Sequence, residues 1–299
     1  MLDPSWIIGH AKTGYTNNNA PIKLTTKSGE HTTLRNLVQS AIPPCRLNPL
    51  LFNGHLQTMW TAVHDDGPPV IYKRAYFQSE HEVYKGQFAV DFVVDYPSPK
   101  DETLPERTTY YSEDEFKNLG SSDDKPMVIA CHGLTGGSHE VYLRQTIAPL
   151  TAAGWEACVI NARGCALSKI TSPVMFNART TWDLRQLVKW LRKTFPNRPL
   201  FGVGFSLGGN LLTNYVGEEG ADCQLKAAVV ISNPWNLEVS HYALVRSIIG
   251  RDIYSRALCT NVHGLFERYV IHRMFKEAKL REEDIRINCS RTPRLAQRG

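Results

Sequence analysis

From Pro126 onward the chain alternates between short runs that are apolar at nearly every position and longer amphipathic segments. Met127–Cys131, Trp155–Ile160, Leu200–Val203 and Ala227–Ile231 are the apolar runs. A strand that is apolar throughout has two faces to bury, so these runs predict a mostly parallel sheet with helices on both sides, an α/β fold. The helices are expected at Glu140–Ala153, at Thr180–Phe195 with Leu184, Leu187, Val188 and Leu191 on one side, and at Leu207–Val216. Upstream, Val70–Phe77 and Phe88–Asp95 alternate and are rich in Val, Tyr and Phe, which reads as an antiparallel pair opening the sheet. Residues 97–125 are rich in Pro, Ser and acids and read as a solvated loop.

One of these strand-to-helix junctions carries chemistry. Leu200–Val203 runs into Gly204-Phe205-Ser206-Leu207-Gly208, and a helical run follows. Gly-x-Ser-x-Gly between strand and helix is the sequence form of a nucleophile elbow, a sharp turn that strains the serine backbone and exposes its hydroxyl. The glycines stand where the turn leaves no room for Cβ atoms. Ser206 is therefore the expected nucleophile. The helix that follows points free N–H groups and its positive dipole end at the serine, which favours an oxyanion. A dinucleotide loop is excluded by spacing: the position three after Gly204 is Leu207, and no Gly-Lys-Ser/Thr follows.

A serine hydroxyl also needs oxyanion donors, and in this architecture one is the N–H of the next residue, here Leu207. The other comes from the loop after the third strand, and Cys131-His132-Gly133-Leu134-Thr135-Gly136-Gly137-Ser138-His139 fits it, with the Leu134 N–H as second donor. One such donor is worth about 2.7–4 kcal/mol in the transition state. His132 reads as a loop-orienting residue rather than a base, and His55, within Asn53-Gly54-His55-Leu56-Gln57-Thr58, as a structural anchor.

Composition narrows the function classes. The 299 residues carry a net charge of +5 with acids and bases interspersed, which leaves no nucleic-acid footprint. No apolar run reaches the length of a membrane span, and the start shows no secretory signal. Seven scattered cysteines without a Cys-x-x-Cys pair argue against a zinc site and fit a reduced, cytoplasmic protein.

The motifs Asn53–Thr58, His132–Ser138, Asn161-Ala162-Arg163-Gly164-Cys165 and Gly204–Asn210, in that order along the chain, resemble the α/β-hydrolases typified by bacterial YheT and its eukaryotic relatives. Within these the chain most resembles the fungal medium-chain fatty-acid ethyl ester synthase/esterases. The resemblance covers roughly residues 35 to 284. It implies the α/β-hydrolase fold and a serine carboxylesterase that also transfers a medium-chain acyl group to an alcohol through an acyl-enzyme. It implies acyl esters or acyl-CoA and a short-chain alcohol as substrates, no metal and no organic cofactor; such substrates suit a cytoplasmic protein that associates with a lipid-droplet or membrane surface, though the sequence carries no anchor.

The expected layout is a polar N-terminal arm at 1–34, a hydrolase core at 35–234, a helical lid at 235–284 and an irregular basic tail at 285–299. Two apolar stripes mark the lid region, Val239 to Ile249 and Leu265 to Phe275. They suit core-facing helices and an acyl-lining lid equally. The resemblance also implies an acid and a histidine after the lid, on two later strands. After Ser206 the chain offers Asp222, Asp252 and Asp284, and His241, His263 and His272. None follows a strand, so the triad acid and base are not found. The expectation is a fold lacking its last strands, truncated at the C-terminus. Two readings follow: an esterase/acyltransferase working through Ser206, or an inactive hydrolase fold that is at most a binding module.

Overall fold

The computed structural model describes residues 10–11, 13–64, 66–96 and 101–271. The chain divides into two compact units, with the boundary at Asp66/Gly67, later than the expected core boundary at residue 35.

The first unit holds β1 (His10–Ala11), β2 (Lys23–Thr25), β3 (His31–Thr33), α1 (Leu34–Ala41), β4 (Cys45–Arg46) and α2 (Gly54–Val63). Part of the stretch expected as an arm pairs on itself: β2 and β3 form an antiparallel hairpin, turned at Gly29 in the left-handed region (φ 86°). The Asn53–Thr58 motif is a capped helix start. Asn53 accepts the Leu56 N–H at 3.0 Å, and Gln57 reaches back to the Leu51 carbonyl at 2.8 Å.

The second unit carries a seven-stranded sheet. Its strands are β5 (Ile71–Gln78), β6 (Gln87–Val94), β7 (Thr108–Tyr110), β8 (Met127–Cys131), β9 (Glu156–Asn161), β10 (Leu200–Phe205) and β11 (Leu225–Ile231), in the order β11-β10-β8-β9-β6-β5-β7. Strands β11, β10, β8 and β9 run parallel, and β6 pairs antiparallel with both β9 and β5. Helices α4 (Val141–Ala152), α5 (Thr181–Thr194) and α6 (Leu207–Glu219) are the crossovers between the parallel strands. The apolar runs bury two faces. Val128, Ala130, Val159 and Val203 meet Leu143 and Ile147 of α4. Ile129, Cys131, Cys158 and Ile160 meet Leu184, Leu187 and Val188 of α5 and Leu212 of α6. This two-sided burial is the reason those runs contain no polar alternation.

The expectation of a solvated loop or insertion at 97–125 is corrected over 108–117. β7 adds to the sheet edge parallel to β5, and α3 (Glu113–Lys117) follows it. The acidic run that looked like solvated loop is a capping box: Ser112 accepts the Glu115 N–H while Glu115 accepts the Ser112 N–H.

Beyond β11 come α7 (Leu237–Val245), a π-turn at Gly250–Tyr254, and a helix over residues 255–271, here α8. The two apolar stripes part company. Val239 and Tyr242 are exposed, whereas Leu265 and Tyr269 are buried against Cys165, Ile170 and Phe176. The end of the expected lid (272–284) and the expected tail (285–299) lie outside the described residues. Among the described residues β11 is paired on one side only, by β10. No described helix is long and apolar enough to cross a membrane.

Candidate active site

The loops at the carboxyl ends of β8, β9, β10 and β11 meet at one edge of the sheet, the edge where open α/β sheets bind ligands. Ser206 stands alone between the end of β10 and the first residue of α6, with φ 50° and ψ −117°. A non-glycine residue rarely takes such a conformation, and it persists only where the surroundings enforce it. They do so here: the Ser206 N–H donates to the Ile231 carbonyl at 2.9 Å, and its own carbonyl accepts the Asn210 N–H at 3.0 Å. The side chain is exposed. The two flanking glycines are demanded by close approach. A Cβ on Gly204 would stand 2.5 Å from the Gly208 carbonyl oxygen, and one on Gly208 would stand 2.3 Å from that of Cys131.

The loop after β8 lies directly beside this turn; a Cβ on Gly133 would be 3.6 Å from that of Ser206. Its donors are partly committed. The Gly133 N–H donates to the Tyr142 hydroxyl oxygen at 2.9 Å, which leaves Leu134 as the next amide along the loop. Thr135 follows in the left-handed region at φ 58°. Leu207 occupies the first position of α6, where helical geometry gives its N–H no partner. The structure thus brings together Ser206, Leu207 and the Gly133–Leu134 segment. A cavity lies under the loop, lined by Gly133, Ile160, Phe176, Leu207 and Leu211 among others.

His132 is fully committed to holding this loop. Its Nε2 accepts the Ala162 N–H at 3.0 Å, so Nδ1 carries the proton and donates to the Gly133 carbonyl at 2.6 Å. Burial pushes its pKa down to about 4. The imidazole therefore has no free lone pair for a serine proton, in keeping with a loop-orienting role. His139 is more exposed and sits near Glu140 at 3.8 Å.

The other candidate bases and acids stand elsewhere. His241 packs on Tyr242. His263 faces Glu267 at 3.5 Å on the exposed side of α8. Asp252 pairs with Arg251 at 2.9 Å, and Asp222 is exposed in a turn after α6. None of these hydrogen-bonds to Ser206. His272 and Asp284 lie outside the described residues. No cluster able to hold a metal ion occurs among the described residues.

Some residues at the site were not visible in the sequence. Tyr142 is one: its hydroxyl holds Gly133, its ring packs on Phe205 at 4.8 Å, and burial raises its pKa to about 12, so it stays protonated. Arg74 and Asp91 are others, joined under the loop by a buried bidentate pair. The available signal was charge inside two strands rich in apolar and aromatic residues, Lys73 and Arg74 in β5 and Asp91 in β6.

Comparison with known proteins agrees with this fold. Residues 126–247 match the family described as alpha/beta hydrolase fold, a span that contains β8 to β11, the loop at 132–139 and Ser206. The chain is 41% identical over 232 residues to the monoacylglycerol lipase of Saccharomyces cerevisiae, covering 71% of this chain and 51% of that one. The chain is an α/β-hydrolase. It is also 35% identical over 238 residues to the medium-chain fatty acid ethyl ester synthase/esterase 2 of the same yeast, covering 71% of this hydrolase and 52% of the relative. Similarity to YheT of Escherichia coli is 30% over 142 residues, covering 48% and 41%. The hydrolase spans about half the length of the two yeast relatives.

Proposed function

We propose that this hydrolase cleaves carboxylic esters of lipid type, through an acyl-enzyme on Ser206 with the Leu134 and Leu207 amides as oxyanion donors. The observation that carries the reading is the exposed Ser206 held at φ 50° beside the Gly133–Leu134 loop. Strain of this kind costs about 1–3 kcal/mol and clusters at active sites, where the surroundings enforce it. In the reaction the Ser206 oxygen attacks the ester carbonyl carbon and gives up its proton to a base. The carbonyl oxygen becomes the oxyanion between the two amides, and the alcohol leaves with a proton. Water, or a second alcohol, then takes the acyl group from Ser206. The described residues supply the nucleophile and oxyanion site; the assignment extends to no base or acid among them.

The finer reading is that the acyl group is of medium length and that short-chain alcohols compete with water as acceptors. The named activities of the two yeast relatives support it, one a lipase of monoacylglycerol and the other an ethyl ester synthase/esterase. Acyl-CoA as donor and action at a lipid surface belong to the same reading.

The test is hydrolysis of p-nitrophenyl octanoate with and without ethanol, by the chain and by Ser206→Ala. Loss of about 10⁴- to 10⁶-fold in kcat on Ser206→Ala, with ethyl octanoate formed when ethanol is present, is expected. The competing reading, a hydrolase fold that binds esters without turning them over, forecasts equal background rates for both proteins.

A further inference from the structure

Under the loop that carries Leu134 lies a polar cluster that the proposed chemistry does not use. Arg74 on β5 and Asp91 on β6 are direct cross-strand neighbours. Their side chains meet in a bidentate pair, Nε to Oδ1 at 2.6 Å and Nη2 to Oδ2 at 2.7 Å, and both are almost entirely buried. Asp91 Oδ2 accepts two further hydrogen bonds, from the Ser138 hydroxyl and from Asn161 Nδ2 at 2.8 Å. Asn161 Oδ1 accepts the Ser138 N–H at 3.0 Å. The remaining arm of Arg74, Nη1, donates to the Ala166 carbonyl at 2.7 Å.

Ser138 closes the loop that begins at His132, whereas Asn161 is the last residue of β9 and Ala166 lies in the loop that follows it. The two loops are pressed together as well as tied: a Cβ on Gly137 would stand 2.4 Å from that of Ala166. Both loops are conformationally strained, with Thr135 at φ 58°, Ala166 at φ 48° and Leu167 at φ 57°. Strained backbone holds only where its surroundings over-determine it. A buried ion pair is weak evidence for stability in its own right, because desolvation offsets the attraction; fixing one geometry is its better-attested use.

We propose that Arg74, Asp91, Ser138 and Asn161 form a positioning device that seats the 132–138 loop on the 161–168 loop and so aims the Leu134 amide beside Ser206. This rests on the Ser206 reading for its consequence in catalysis, though not for its effect on the loop. Arg74 and Asp91 are positioning residues: they touch no substrate and act through Ser138.

The test uses the full chain, with Ser138→Ala and Asp91→Asn as variants and Asp123→Asn as control. Asp123 pairs with Arg198 just before the amino ends of β8 and β10, whereas both loops and the elbow follow the carboxyl ends of their strands. Hydrogen exchange and p-nitrophenyl octanoate kinetics are read in parallel. Ser138→Ala, which removes one hydroxyl and leaves the ion pair, is the variant expected to keep the fold. It is expected to speed exchange in the peptide spanning 133–138 at least tenfold while β10 exchanges as before. It lowers kcat about ten- to a hundredfold with KM changed less than twofold, since misplacing a transition-state donor acts on kcat. Asp91→Asn gives the same pattern, larger. Asp123→Asn moves neither readout. Unchanged exchange at 133–138 in Ser138→Ala overturns the proposal, as does exchange that rises equally at 133–138 and in β10. If Ser206→Ala keeps full turnover, the Ser206 reading fails, and the exchange result alone decides the fate of the positioning device.

Discussion

On the β8–β9 side of Ser206 the backbone is tied down group by group. Tyr142 holds Gly133, His132 holds Ala162 and its own loop, and Asp91 holds Ser138. On the β11 side polar ties are fewer: Asn233 donates to Thr213 and Asn210 to the Pro234 carbonyl, both at 3.0 Å. The rest is apolar surface. Val229 is 58% exposed, Ile231 38% and Trp235 74%. Yet β10 and β11 are parallel neighbours of similar length and apolarity, Leu200–Phe205 and Leu225–Ile231. What separates the flanks is therefore not the apolarity of the strands but the neighbours each strand has. Among the described residues, β8 and β9 have a strand on each side and end in loops held by directed hydrogen bonds, whereas β11 has one strand neighbour and exposed apolar side chains.

Four substitutions or conditions probe that contrast. Gly208→Ala should be the most damaging, because its Cβ meets the carbonyl oxygens of Cys131 and His132, backbone atoms with no freedom to yield. A loss of more than about 3 kcal/mol is expected in urea unfolding, or no folded protein at all. Ile129→Ala, in a fully buried strand, should cost about 2–5 kcal/mol by the same measurement.

Acid should act through His132. Its pKa is about 4 in the folded state against 6.5 for the free side chain, so the folded state binds fewer protons between these values. The contribution is complete above pH 6.5 and is lost as pH falls toward 4, by up to about 3 kcal/mol. Urea midpoints across this range should fall accordingly, and an NMR titration should show the His132 ring neutral at pH 5. A ring already protonated at pH 6 would contradict the hydrogen bonding described. Val229→Ala should have the smallest effect, under about 0.5 kcal/mol. A cost near that of Ile129→Ala would break the comparison, since it would mean that β11 is covered as β8 is.

Much of this fold could be read from the residues. Continuous apolar runs announced β8, β9, β10 and β11, and Gly-x-Ser-x-Gly fixed the position of the turn at Ser206. β7 and α3 were hidden. Thr108–Tyr110 is too short to show alternation, and acids at 113–115 look the same in a helix start as in a loop. The Arg74–Asp91 pair was hidden for another reason. The two residues are 17 apart and meet only through the register of the β5–β6 hairpin, which a linear pattern does not display. Periodicity likewise identified the Val239–Tyr242 stripe as one helix face but carries no record of what, if anything, lies against it.

The central claim is that Ser206 is a nucleophile beside a formed oxyanion site. Fluorophosphonate labelling followed by peptide mapping tests it most directly, because the probe bonds only to an activated serine and mimics the tetrahedral intermediate. The account predicts an adduct on Ser206 in the folded chain and none in Ser206→Ala. A folded chain that remains unlabelled at Ser206, or equal labelling of Ser206→Ala, would contradict it.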